Sequence, residues 1–335
     1  MLGPIGHTAG YAMPMLHKIT ALLFFPSAAA LHIAITGTSQ GLGLDTAKRL
    51  IRDGHTVYHA NRNSARSAEA AEAAGGGVPM VCDLASLASV RAFADELSGK
   101  ELDVLCLNAG IAPSTKAETA ARTADGFESC IGTNHLGHFL LANLLAPKVS
   151  RIVVTASSVH DPEQPGGAVG GKGGATLGDL SGLGPLTTGG PTMVDGAIEY
   201  DGSKVYKDSK LCNVLFCREA KKRFPEVDVR SLNPGFIPTS GLFRAPREDN
   251  FFGATAFAFF AGLAGFAVPI DVGGERLAYV ATSDDVPRGA YLSAETGSKA
   301  ATYAEGFDDG LISPEGQNDE LAARLWDRSR ELVGA

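Results

Sequence analysis

Tyr206 and Lys210 stand four residues apart in Tyr206-Lys207-Asp208-Ser209-Lys210, a spacing that puts both side chains on one face of a helix. A free phenol titrates near pH ~10 and exchanges protons poorly at neutral pH. An ammonium one helical turn away lowers that value electrostatically, so the pair predicts a tuned proton donor. Ser157 follows an apolar run over 151–156 and offers a hydroxyl to polarise a reacting group, with Ser158 as its neighbour and second choice. Asn134, in Thr133-Asn134-His135-Leu136-Gly137-His138, is a polar residue inside an apolar helical pattern. It can bind a backbone carbonyl and hold a water linked to Lys210. His135 and His138 have no third ligand in view and read as packed or solvent-facing, so no metal is expected. A Tyr-x-x-x-Lys pair alone is usually just an exposed pair, so the chemistry rests on the whole set.

A second constellation lies upstream. Gly37, Gly41 and Gly43 fall in Thr36-Gly37-Thr38-Ser39-Gln40-Gly41-Leu42-Gly43, between an apolar strand and a helical pattern. Glycine lets backbone approach phosphate closely, and a helix amino terminus offers free N–H groups and a positive dipole end. Ser39, Gln40 and Leu42 belong to the same turn and join the expected dinucleotide site. After the second strand an acidic residue would favour NAD, but this chain has Asn61-Arg62-Asn63. Arg62 can pair with a 2′-phosphate, which points to NADPH; otherwise it is a solvated surface charge. Asp83-Leu84 and Asn108-Ala109-Gly110 follow the third and fourth strands, where loops would flank the adenine and the nicotinamide ribose.

The elements that must position these residues alternate. Strand patterns over 31–36, 56–60, 78–82, 104–107, 151–156, 227–232 and 290–293 are interleaved with helical patterns over 42–52, 64–74, 87–97, 127–145, 203–224, 272–282 and 320–332. Such alternation predicts one α/β domain: a Rossmann-type, doubly wound, mainly parallel sheet covered on both faces. A Gly- and Pro-rich stretch over about 161–202 forms a long insertion after the fifth strand; so long a loop is usually functional or disordered. The uncharged segment 250–270 reads as an apolar substrate lid or a patch meeting a membrane surface. Residues 1–30 precede the domain, which is expected over 31–335. There Lys18, an apolar run over 19–25 and Pro26-Ser27-Ala28-Ala29-Ala30 resemble a targeting segment with a cleavage site. A helical or disordered extension fits equally well.

A net charge of −8 and the lack of a dense basic run argue against a nucleic-acid partner. Cys82, Cys106, Cys130, Cys212 and Cys217 show no metal-ligand spacing and read as buried free thiols in a reducing compartment. The expected partner is a small apolar substrate; a homo-oligomer is left open.

Taken together, the glycine turn, Asn108-Ala109-Gly110, Asn134, Ser157, Tyr206-x-x-x-Lys210 and Asn233-Pro234-Gly235 resemble the short-chain dehydrogenase/reductase superfamily. Four further runs are similar to the light-dependent protochlorophyllide reductases: Thr133 to Leu140, Leu177-Gly178-Asp179-Leu180-Ser181-Gly182, Tyr206 to Asn213, and Leu325-Trp326 through Glu331-Leu332-Val333-Gly334. The resemblance covers most of 31–334 and implies a ternary complex with NADPH and protochlorophyllide. It implies light-triggered hydride transfer to a ring C=C, with Tyr206 as proton donor and Lys210 supporting the cofactor. It also implies that Pro234 and Gly235 touch the cofactor, that Ser157, Tyr206 and Phe236 face the substrate, and that the protein works in a plastid with peripheral membrane contact through 250–270. Without the pigment reading, a cytoplasmic location is expected. The chain departs from that family at Phe236, where a cysteine is usual, and in Ala290-Tyr291-Leu292-Ser293, where tryptophans are usual. Two other readings stay open: a light-independent reductase of an apolar carbonyl or alcohol, and a non-catalytic NADPH- or pigment-binding protein.

Overall fold

The computed structural model describes residues 29–168, 174–243, 267–294 and 302–335. Leu31–Ala335 forms one compact unit. The expected segments 1–30 and 250–270 lie wholly or largely outside the described residues.

The chain runs β1 (His32–Thr36), α1 (Gly41–Arg52), β2 (Thr56–Asn61), α2 (Ser64–Ala74), β3 (Val78–Val81), α3 (Leu87–Ser98) and β4 (Val104–Leu107). It continues through α4 (Ser129–Ile131), a π-helical turn Gly132–Leu136, α5 (Gly137–Leu145), β5 (Arg151–Thr155), α6 (Pro165–Ala168) and α7 (Gly202–Arg223). The last described elements are β6 (Asp228–Asn233), α8 (Ile270–Thr282), β7 (Tyr291–Ala294), β8 (Phe307–Asp309) and α9 (Asp319–Val333). The sheet has eight strands in the order β3-β2-β1-β4-β5-β6-β7-β8. All pairs are parallel except β7 with β8. The order reverses at β1, so the crevice between the carboxyl ends of β1 and β4 is where such sheets bind ligands.

Alternate residues of the strands face opposite layers. Ala34, Leu105, Leu107, Ile152 and Val154 pack with α3, α5, α7 and α9 through Phe93, Leu140, Leu215 and Trp326. Ile33, Ile35, Val104, Cys106 and Val153 pack with α1 and α8 through Leu50, Leu277 and Val280. Burial on both faces explains why these strands read as near-continuous apolar runs. All five cysteines are free and buried, as expected from their surroundings, and burial pushes Cys82, Cys106 and Cys217 up to about 12.

Three expectations need correction. The helix expected over 127–145 begins at Ser129, because Glu128 caps it by accepting from Ile131 N at 2.8 Å while Phe127 bridges to Pro185. Its middle widens into the π-turn that carries Asn134. The strand β8 was not expected: Phe307–Asp309 is three residues long and holds two exposed acids, too little pattern to read. Over 174–201 the Gly-rich insertion is a packed irregular segment, so the disordered alternative does not hold there. Ala175, Leu177, Leu180, Leu183, Met193, Val194 and Tyr200 join the main core. Lys204 fastens it by pairing with Asp195 at 3.0 Å and with buried Asp208 at 2.6 Å, while Asp208 accepts from Thr176 N at 3.0 Å.

Candidate active site

The carboxyl ends of the parallel strands bring the expected residues to one edge. Gly37 follows β1 with φ +77°, a left-handed backbone open to glycine, and an added Cβ there would lie 2.9 Å from Ala109 Cα. Gly43 sits in the first turns of α1, where a Cβ would lie 2.3 Å from Gly37 O and 2.7 Å from Asn108 Nδ2. The glycine turn therefore wraps closely on Asn108-Ala109 after β4. The Gln40 side chain makes no capping bond to α1. Ser39 N donates to Asn61 Oδ1 at 3.0 Å, and Asn61 Nδ2 donates to Thr38 Oγ1 at 2.9 Å. The polar residue at the end of β2 thus shapes the turn, while Arg62 next to it points to solvent. Among the described residues the Arg62 guanidinium makes no hydrogen bond or ion pair.

Thr36 is the hub behind this turn. Its Oγ1 accepts from Asn108 N at 2.9 Å and Ala109 N at 3.0 Å. Its proton goes to His138 Nε2 at 2.9 Å, because His138 Nδ1–H donates to Asn134 O at 3.1 Å. Burial holds His138 neutral, with its pKa down to about 4, and the Lys210 charge acts in the same direction. His135 is likewise buried, pushed down to about 3, and bonds Ser329 Oγ at 2.8 Å. Both histidines are packing groups.

Asn134 is fully buried, and the π-turn aims its amide at the loop after β4. Ile111 N donates to Oδ1 at 2.8 Å, and Nδ2 donates to Ile111 O at 2.9 Å and Ser209 Oγ at 3.0 Å. The expected backbone carbonyl partner is thus Ile111. Ser209 Oγ in turn donates to Tyr206 O at 2.7 Å, tying the π-turn to α7. Cys130 Sγ lies in the same knot, 3.2 Å from Asn134 Nδ2. Single-turn π-bulges recur at functional sites because they re-aim one side chain. Sequence reasoning missed Thr36 Oγ1, Cys130 and Ser209; their only signal was a small polar residue or thiol one turn from a site residue.

Lys210 is buried, donates to Thr155 O at 3.0 Å and lies 5.7 Å from the Tyr206 ring centroid. An atom placed at a Gly110 Cβ would be 3.4 Å from Asn134 Oδ1 and 3.8 Å from Lys210 Nζ, so Gly110, Asn134 and Lys210 converge. Burial lowers Lys210 to about 8. Tyr206 is half-buried, and its phenol is pushed upward by desolvation first and the Cys130 thiol second. The expected lowering by Lys210 does not appear, because desolvation outweighs an ammonium beyond hydrogen-bond range. The phenol therefore rests protonated, the state a proton donor needs.

Ser157 is half-buried, with its Oγ held by a single long bond from Val159 N at 3.4 Å. Pro234 and Gly235 follow β6, and Pro234 O accepts from the fully buried Arg276 at 3.0 Å. Phe236 is half-buried and its carbonyl accepts at 2.8 Å from the N–H of Val268, a described residue of the segment 250–270 expected to be an apolar lid. Asp83 Oδ1 accepts from Ala85 N at 3.0 Å. The Leu84 side chain is core, and its carbonyl abuts Gly137, 2.4 Å from a Cβ placed there.

The arrangement has counterparts in known proteins. A short chain dehydrogenase family model matches residues 31–169. Protochlorophyllide reductase of Cucumis sativus is 39% identical over 321 residues, covering 90% of this chain and 77% of the relative. Protochlorophyllide reductase A of Oryza sativa is 40% identical over 325 residues, covering 90% and 80%. The chain belongs to the short-chain dehydrogenase/reductase family. As such it is an oxidoreductase that uses a nicotinamide cofactor. A solved structure of an uncharacterised protein from Mycobacterium paratuberculosis is 30% identical, with TM-score 0.67 over 92% of this chain and 96% of that one. A 3-ketoacyl-(acyl-carrier-protein) reductase of Brucella melitensis solved with NADH shares the fold alone, at 20% identity and TM-score 0.57 over 81% of this chain and 98% of that one. No helix among the described residues is long and apolar enough to cross a membrane.

Proposed function

We propose that this reductase uses NADPH to reduce a ring C=C of a protochlorophyllide-like tetrapyrrole on illumination, with Tyr206 as the proton donor. One observation carries the reading most: Tyr206, Lys210, Asn134 and Gly110 converge beside a glycine turn that leaves no room for a Cβ at Gly43. That cradle and the amino terminus of α1, which the Gln40 side chain does not cap, fit a pyrophosphate, and Arg62, with no ion pair among the described residues, fits a 2′-phosphate. Bound there, NADPH would supply the hydride. Lys210 has ammonium protons left beyond its bond to Thr155 O, enough to hold ribose hydroxyls. Tyr206 would give its O–H proton to the carbon adjacent to the one taking hydride, so the C=C becomes a saturated CH–CH unit. The substrate class is inferred from relatives about 40% identical over most of the chain. Those relatives carry chloroplastic names, and a plastid location is part of the same reading.

Phe236 favours a second reading. A phenyl ring cannot donate a proton and fills more of the pocket than a small polar group would. This suits a light-independent reductase of an apolar aldehyde or ketone, where Ser157 and Tyr206 polarise and protonate the carbonyl oxygen.

The test is the absorption spectrum of the purified protein with NADPH and protochlorophyllide, in darkness and after a flash. A light-dependent red shift to chlorophyllide is the expected result. Pigment binding without conversion would refute the light-driven reading in favour of a pigment-binding protein, and no binding together with NADPH oxidation on an apolar aldehyde would refute it in favour of the second.

A further inference from the structure

His160 is fully buried in the turn after β5, two residues past the site serine's neighbour, and nothing in the chemistry above uses it. Both ring nitrogens are engaged by backbone. Nδ1 lies 2.6 Å from Ser157 O, and Nε2 lies 3.3 Å from Ser313 N. An N–H can only donate and a carbonyl can only accept, so the proton sits on Nδ1 and the ring is neutral. The ring edge meets Tyr291 at a centroid distance of 5.8 Å. Ile312, next to Ser313, packs against Ala156, Val214 and Tyr291. The carboxyl-terminal segment and the β5 turn are thus joined through one imidazole.

We infer that His160 is a positioning residue for Ser157: it fixes the Ser157 backbone against Ile312-Ser313 and so aims the serine hydroxyl into the site. The inference rests on the proposed role of Ser157. Ser157 needs such support because its own Oγ has one bond, at 3.4 Å, and the chain turns sharply there: His160 N bonds Ser157 O at 3.3 Å and Asp161 N bonds Ser158 O at 3.1 Å. The bond from Nδ1 is shorter than either backbone bond of that turn. With the ring in place the carbonyl of Ser157 cannot rotate without opening two contacts. A misplacement of about an ångström at a reacting group costs on the order of a hundredfold in rate.

The first test needs no turnover. Side-chain nitrogen NMR of the whole protein at neutral pH should show a His160 ring protonated on Nδ1 alone; an Nε2–H tautomer or an imidazolium would overturn the inference. The second test is a double-mutant cycle on kcat and KM, with protochlorophyllide under a flash or, if the wild type does not convert it, with NADPH and decanal. His160→Phe keeps the packing on Tyr291 and loses both bonds; kcat should fall on the order of a hundredfold with KM for NADPH unchanged. His160→Asn, which keeps a donor near Nδ1, should recover most of that loss and carries the test if the Phe variant fails to fold. In a Ser157→Ala background the His160 effect should disappear; independent, multiplicative losses would overturn the inference. Full turnover by Ser157→Ala itself would refute the serine's catalytic role, a separate outcome from a failed cycle.

Discussion

Gly43→Ala pits helix propensity against the cofactor turn. Gly43 is buried within α1, and in a helix interior Ala is better than Gly by about 1 kcal/mol. With free space the substitution would therefore stabilise the protein. The structure leaves none: the new Cβ would lie 2.3 Å from Gly37 O, 3.0 Å from Gly37 C and 2.7 Å from Asn108 Nδ2. Asn108 cannot swing away cheaply, because Nδ2 donates to Thr36 O at 2.9 Å. Gly37 is backed by Ala109, so the turn must open by about an ångström to reach ordinary contact. Overpacking of this kind costs about 1–3 kcal/mol, which cancels or exceeds the propensity gain. The larger loss falls on NADPH. Losing one charge-assisted N–H to phosphate bond costs ~1.5–3 kcal/mol, or roughly a ten- to hundredfold rise in Kd. Denaturant unfolding and a fluorescence titration with NADPH read the two effects separately. A variant about 1 kcal/mol more stable with unchanged NADPH affinity would refute both the close approach and its assignment to the pyrophosphate.

Tyr206→Phe should abolish turnover while NADPH still binds close to the wild-type affinity; substantial residual turnover would remove Tyr206 as donor. Arg62→Ala should raise the Kd for NADPH about tenfold or more and leave NADH nearly untouched, since the guanidinium has no partner to lose among the described residues; equal losses would dismiss the 2′-phosphate contact. Asp208→Ala should cost about 3 kcal/mol, at the low end for a broken buried pair because Lys204 keeps Asp195 at 3.0 Å, and should expose 174–200 to limited proteolysis. Lys210 is about 8 in the fold against 10.5 in the unfolded chain, so between those values the unfolded chain binds more protons and stability rises with pH. Between pH ~8 and ~10.5 the wild type should therefore gain stability relative to Lys210→Met, with a constant offset below pH ~8; curves that stay parallel across that window would contradict the buried ammonium.

The alternation of strands and helices was legible because both faces of the sheet are buried, which writes apolar runs into β1, β4 and β5 and amphipathic stripes into α1 and α3. The glycine turn was legible because Gly37 and Gly43 are the residue type that a close approach demands, whatever surrounds them. The π-turn was not, since Gly132–Leu136 has an ordinary helical pattern and the widening satisfies Asn134 through Ile111, twenty-three residues earlier. The Gly-rich stretch misled for a related reason. Local chemistry there rules out a long helix, but Leu177, Leu180 and Tyr200 find a core that α3, α5, α7 and α9 create together.

The main alternation of strands and helices, the glycine turn and the pairing of Tyr206 with Lys210 on one helix face were determined by the sequence, because each depends on residues within a few positions of one another. What the tertiary structure decided depends on distance through space. Thr36 gathers Asn108, Ala109 and His138. Asn134 reaches Ser209 on another helix, and His160 bridges Ser157 to Ser313. It also decided the charge states. Tyr206 stays protonated and Lys210 is eased toward neutrality, because burial removes water from both groups, and no spacing rule along the chain encodes that removal.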